Sequence, residues 1–256
     1  MVVSGSRGDM VMDVAYDYWG KRVATCSSDQ SIRVFDDAGH KLAEWKAHAG
    51  TIWRVAWMHP EFGAALASCS FDRKVCIWEE VSDAEEVGLP GRASSWKLQC
   101  EIGDARDSVV DLDFAPRHCG LRLVSCGADR MLRVHEAPDV VDLSSWTLIS
   151  EFEADGGGAT PPPAHGAPAS GTRPAPLSVT WCPSPSEAPM LLVGFSDGTV
   201  LLWAFDEFHR RWARLLAFDG SSVTPRCAPS HPRSHNTHTT SPQRPLPIPR
   251  EPPPAP

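Results

Sequence analysis

Leu66-Ala-Ser-Cys-Ser-Phe-Asp72-Arg-Lys-Val-Cys-Ile-Trp78-Glu79 is the stretch whose pattern decides the fold. An apolar run leads into small residues, then an Asp, a polar turn, an alternating run and an aromatic side chain. The same order recurs in VATCSSDQSIRVFD (Val23–Asp36), LVSCGADRMLRVHE (Leu123–Glu136) and LLVGFSDGTVLLWA (Leu191–Ala204). The marker carboxylate falls at Asp29, Asp72, Asp129 and Asp197, at spacings of 43, 57 and 68 residues. Self-similarity on this scale signals tandem units that bury their apolar faces against one another.

Ahead of each marker lies a segment of alternating polarity: Val11–Asp17, Thr51–Trp57, Val109–Phe114 and Leu177–Trp181. That is the period of a strand with one buried face. A further strand follows each unit, at Leu42–Trp45, Trp96–Ile102, Trp146–Phe152 and Trp212–Phe218. Helical periodicity is absent between 11 and 218. The sequence therefore predicts an all-β propeller of four four-stranded blades at 11–45, 51–102, 109–152 and 177–218. The first spacing matches the ~40–45-residue period of a blade. Insertions at Val81–Ser95 and 156–176 account for the longer two.

The 256 residues carry a formal charge of −8, and 42% of them are hydrophobic, enough for a sizeable core. The acidic balance argues against direct nucleic-acid binding, which asks for a basic face, and against a polybasic membrane patch. The longest apolar run, Met190–Phe195, is far short of a membrane span of ~18 residues. No secretory leader is recognisable, so no membrane insertion and an intracellular setting are expected. Gly156–Pro176 and the tail 219–256 hold 17 of the 24 prolines. Such segments bury too little apolar surface to offset their chain entropy, so both read as disordered. Residues 1–10 read as a flexible N-terminus.

A turn between the second and third strands leaves backbone N–H groups unpaired, and a short carboxylate accepts them. The second unit carries the fullest set: His48 before its first strand, Ser68 or Ser70, then Asp72 and Trp78. These are expected to form a structural blade network. Read instead as a nucleophile triad, His48, Ser70 and Asp72 lack the supporting context, because the repeat already accounts for each position. The other units lack the His and are expected to rely on packing and the Asp turn. Cys26, Cys69 and Cys126 occupy one repeat-equivalent position and read as small buried side chains. No Cys-x-x-Cys pair occurs, so neither a metal nor any other cofactor is expected. His231, His235 and His238 have no acidic partner nearby in sequence, and Pro242–Pro254 is compatible with polyproline II. The acidic stretch around Val81–Ser95 reads as a solvated linker.

Specific phrases narrow the generic repeat. Trp53-Arg-Val-Ala-Trp57, His59-Pro-Glu-Phe-Gly63 and Leu66–Asp72 resemble the WD-repeat scaffold proteins of the nuclear pore outer ring and the vesicle coat. Phe114-Ala-Pro-Arg-His-Cys-Gly-Leu121 and Glu136–Trp146 resemble the Seh-type nucleoporins in particular. The likeness runs from about Val11 to Phe152, is generic from Leu177 to Phe218, and stops at Asp219. It implies a non-enzymatic scaffold of the Y-shaped outer-ring complex, whose open propeller is completed by a helical scaffold nucleoporin. Support of protein and mRNA transport follows from that role. It also implies a second role with nutrient-sensing coat subunits at the lysosomal or vacuolar surface, regulating target-of-rapamycin signalling.

The resemblance implies six blades, whereas only four fit within 1–218. The sequence after Asp219 reads like an alternative end, although Ser221-Ser-Val-Thr224 has the look of a further strand. An open arc with exposed first and fourth blades is expected, a template for strand addition. A different reading, a peptide-binding adaptor such as a ubiquitin-ligase substrate receptor or a signalling scaffold, would use the propeller's top surface. Trp19, Trp53 and Arg54 are the candidate interface residues.

Overall fold

Alternation in the sequence becomes pleated strands, and the Asp-containing turns fold them back on one another. The computed structural model describes residues 9–81, 95–156, 173–184, 188–219 and 222–224. The first sheet comprises β1 (Val11–Tyr16), β2 (Arg22–Ser27), β3 (Ser31–Asp36) and β4 (Lys41–Lys46). The second comprises β5 (Ile52–Trp57), β6 (Ala65–Ser70), β7 (Val75–Val81) and β8 (Ser95–Ile102). The third runs through β9 (Val109–Phe114), β10 (Arg122–Gly127), β11 (Met131–Glu136) and β12 (Thr147–Glu153). The fourth holds β13 (Pro176–Trp181), β14 (Met190–Phe195), β15 (Val200–Asp206), β16 (Arg211–Asp219) and the short β17 (Ser222–Thr224).

Every sheet is an antiparallel meander in sequence order. The expected all-β propeller of about four blades is what forms, and its blades stand as an open arc. The innermost strands β1, β5, β9 and β13 pack successively against one another. Among the described residues β1 pairs only with β2, and β13 only with β14. Three differences from the sequence reading stand out. Ser222–Thr224 pairs back on β16, with Phe218 opposite Val223, so it extends the fourth blade instead of opening a fifth. β13 starts at Pro176, inside the segment read as disordered, because the Ser196 N–H donates to the Ala175 carbonyl and ties the entry down. Val81 and Ser95 are a paired couple at the ends of β7 and β8, not loop residues. Residues 1–8, most of the 81–95 and 156–176 insertions, the tail histidines and Pro242–Pro254 lie outside the described residues.

Packing follows the blade boundaries. Ala24, Cys26, Ile32 and Val34 of the first blade bury against Ile52, Val55 and Leu66 of the second. A second cluster joins blades two and three, and a third joins blades three and four around Val124, Val134, Trp181 and Trp203. Burial of apolar area between sheets, about 25 cal/mol per Å², holds the arc together because each blade alone is a single sheet of four or five strands.

Candidate functional site

The turn carboxylates have one geometry in all four blades. Asp29, Asp72, Asp129 and Asp197 each accept the backbone N–H two residues on, from Ser31, Lys74, Met131 and Thr199, at 2.8–3.1 Å. The residue after each Asp has positive φ: Gln30, Arg73, Arg130 and Gly198. Its N–H closes a turn onto the carbonyl three residues back. Only the fourth blade places glycine there.

In the second blade these turns join a relay. The His48 Nδ1 lies 3.0 Å from the Asp72 Oδ2, and its Nε2 lies 2.8 Å from the Ser68 Oγ. The Trp78 Nε1–H donates to the same Ser68 oxygen at 3.0 Å. With Nδ1 protonated toward the carboxylate, Nε2 accepts the Ser68 O–H, and every polar atom is satisfied. Burial pushes the His48 pKa down more than Asp72 pulls it up, so the ring stays neutral. Asp72 itself is held low: burial alone would raise it, but His48 and the Ala49 N–H outweigh that. Ser70 has a different place; its Oγ accepts the Asp72 N–H at 3.2 Å. Ser68 and Ser70 are both fully buried, which leaves no approach for a substrate carbonyl.

Blades one and three use arginine where the sequence reading expected packing and the turn alone. Arg33 bonds Asp29 at 2.6 Å, and Arg133 bonds Asp129 at 2.7 Å and Glu151 at 2.8 Å. The Asp29 carboxyl sits at about 2, since hydrogen bonds from Ser31 and Arg33 outweigh the upward push of burial. Arg133 is 2% exposed, and His135, in the register position of Trp78, meets Asp104 at 2.9 Å. The signal was in the sequence: Asp-x-x-x-Arg at 29–33 and 129–133.

Between blades, carboxylates on inner strands reach the next blade's backbone. Asp13 accepts the Val55 N–H at 3.1 Å, Asp111 the Val179 N–H at 2.8 Å, and Asp113 the Trp181 N–H at 2.9 Å. Asp13, Arg54 and Asp111 stand at one register position, opposite Cys26, Cys69 and Cys126. Arg54 therefore faces a carboxylate on either side, 3.5 Å from Asp13 and 3.0 Å from Asp111. Burial raises the Asp111 carboxyl to about 6 and raises Asp113 as well. The Trp53 indole donates to the Ser108 Oγ at 3.0 Å, bridging blades two and three. Trp19, by contrast, is 66% exposed beside Tyr18, their rings edge to face at 5.0 Å. Burial pushes the Cys26 and Cys76 thiols up to about 12, and Cys69 and Cys126 rise too, which leaves these thiols un-ionised. Among the described residues no group of three or more His, Cys, Asp or Glu could hold a metal.

The inner strand of the first blade keeps apolar side chains exposed. Met12 and Ala15 of β1 pack toward the second blade, whereas Val14 and Tyr16 are 53% and 68% exposed. The family model for the WD domain, G-beta repeat, matches residues 1–36 and 39–79. The chain is 39% identical over 227 residues to nucleoporin SEH1-A of Xenopus laevis, and equally to nucleoporin SEH1 of Homo sapiens. Each alignment covers 83% of this chain and 57% of the relative. Nucleoporin SEH1 of Danio rerio is 40% identical over 224 residues, covering 83% and 56%. The chain is similar to the Seh-type WD-repeat proteins over most of its own length. It spans a little over half the length of the curated relatives it matches. Hydrogen bonds among His48, Ser68, Asp72 and Trp78 join the segment before β5 to β6, β7 and the turn between them.

Proposed function

We propose that this chain is a non-enzymatic scaffold of the nuclear pore outer ring, located at the nuclear envelope. The observation that carries the reading is the uncovered apolar face of β1, in a protein whose relatives are nucleoporins. An exposed strand with apolar residues on its free face is a template for added structure. A helical outer-ring nucleoporin would complete the arc there by contributing strands to the first blade. The buried relay and the inter-blade carboxylates suit such a part, since they hold each blade rigid before the partner arrives. Support of protein and mRNA passage would follow from the scaffold, as would a second engagement with nutrient-sensing coat subunits at the lysosomal or vacuolar surface that regulate target-of-rapamycin signalling.

Co-expression of the full chain with the helical outer-ring nucleoporin, read by size-exclusion chromatography with light scattering, tests the reading. A one-to-one complex that is lost in Val14→Glu/Tyr16→Glu supports it. Failure to co-elute, or capture of the double variant as readily as the native chain, overturns it. Binding of short peptides on the Asp-turn face, unaffected by the β1 changes, would favour a peptide-binding adaptor instead.

A further inference from the structure

The repeat places an arginine seat at two blade boundaries, and the chain fills only one of them. Between blades one and two, Arg22 at the start of β2 lies over the Trp57 ring, 4.8 Å from its centroid. Trp96 stands edge-on to Trp57 at 5.9 Å. The guanidinium is fixed by Asp17 at 3.3 Å and by Glu80 at 2.6 Å. This is a cation held on one aromatic face by two carboxylates, an arrangement that gains both π attraction and charge-assisted hydrogen bonds.

Register identifies the corresponding residues between blades three and four. Trp57 pairs with Leu66 as Trp181 pairs with Leu191, and Glu80 faces Trp96 as Phe205 faces Trp212. Arg22 faces Asp36 as Arg122 faces Glu136. The N–H of Asp17 bonds the Arg22 carbonyl just as that of Ala115 bonds the Arg122 carbonyl. Both carboxylates that hold Arg22 are therefore replaced, Asp17 by Ala115 and Glu80 by Phe205. Arg122 has lost its partners across the boundary and bonds Glu136 within its own blade at 2.9 Å.

What remains is a cavity of about 270 Å³. Trp181, Phe205 and Trp212 wall it, with Arg122, Glu136, Glu207 and Arg210 also on its lining. Trp212 stands edge to face with Trp181 at 5.9 Å and with Phe205 at 5.5 Å, so these three rings meet as a cage, while Trp212 also stacks on Phe152 at 5.7 Å. Glu136 answers the charge of Arg122, and Glu207 and Arg210 add one charge of each sign, so the lining is neutral overall and the aromatic faces carry the attraction for a cation.

We propose that this cage is a binding site for the guanidinium of an arginine side chain on a partner polypeptide. The partner's cation takes the position that the chain's own arginine takes one repeat pair earlier. The site is separate from the β1 face and stands or falls independently of the pore assignment.

The full chain labelled with ¹⁵N-tryptophan, titrated with N-acetyl-arginine amide, reads the site through the indole resonances of Trp181 and Trp212. The expected result is a saturable shift of these two, with Trp57 unmoved because Arg22 covers it. Neutral N-acetyl-citrulline amide, of nearly the same shape, should bind at least about fivefold more weakly, since it lacks the cation. Phe205→Glu restores the lost carboxylate, should draw Arg122 onto Trp181, and should weaken the arginine probe by a similar factor. Equal response to citrulline, or no saturable shift at Trp181 and Trp212, overturns the proposal on the native chain alone. Undiminished binding by folded Phe205→Glu would overturn it as well.

Discussion

Ser68 takes an indole N–H and faces a histidine while fully buried, so its neighbours cannot lose a partner without cost. His48→Ala should lower stability by about 2–3 kcal/mol in denaturant unfolding, because it strands the Ser68 hydroxyl and the Asp72 carboxylate. Asp197→Ala, at an exposed turn, should cost under about 1 kcal/mol. Equal losses at the two sites would contradict the relay. Asp111 gives a pH signature. Its folded pKa of about 6 lies above the ordinary 3.8, so the folded chain holds the proton more tightly than the unfolded one. The stability it contributes is present at low pH and is lost as pH rises from about 4 to 6. Asp111→Asn removes that loss, so the variant should gain on the native chain by about 1–3 kcal/mol between pH 4.5 and pH 7. Urea melts at the two pH values check this, and a constant difference would contradict it. Asp29, Asp72 and Asp129, held low, act in the opposite sense and lose their contribution as pH falls below the ordinary carboxylate range.

The turns and the strand registers share one logic in every blade, yet the blades are locked differently. Gly198, at φ 84°, sits where Gln30, Arg73 and Arg130 tolerate the left-handed region. Gly198→Ala should cost about 1 kcal/mol through backbone strain alone, since no atom lies near the added Cβ. Arg133→Ala strips the partner from Asp129 and Glu151 and should cost about 3 kcal/mol or more. Thermal or urea unfolding reads both, and a loss at Arg133 no larger than that at Gly198 would deny the arginine its role. The strands and the Asp turns were legible because they rest on period-two alternation and on bonds two residues apart. The locks of blades one and three were half-legible, as an unread Asp-x-x-x-Arg. Asp13, Asp111 and Asp113 were not legible, because their partners lie 42 and 68 residues away and alternation alone only says that a polar side chain interrupts an inner strand. Ser68 and Ser70 could not be told apart either; which of two alternating serines meets the imidazole depends on the loop bearing His48.

Across the whole arc, three inter-blade clusters and the run of Asp13, Arg54 and Asp111 tie each blade only to its neighbours. An assembly of that kind has two ends: the face of β1 with Val14 and Tyr16, and the fourth blade with Leu177. The scaffold reading needs those ends apart so that another polypeptide can enter. The most direct measurement is the distance between spin labels placed through unnatural amino acids at Val14 and Leu177, by pulsed electron resonance on the full chain. An open arc gives a separation well beyond the roughly 10 Å between packed neighbouring sheets. A sharp distribution at packed-sheet distance would show a ring sealed by its own first and last blades and would contradict it.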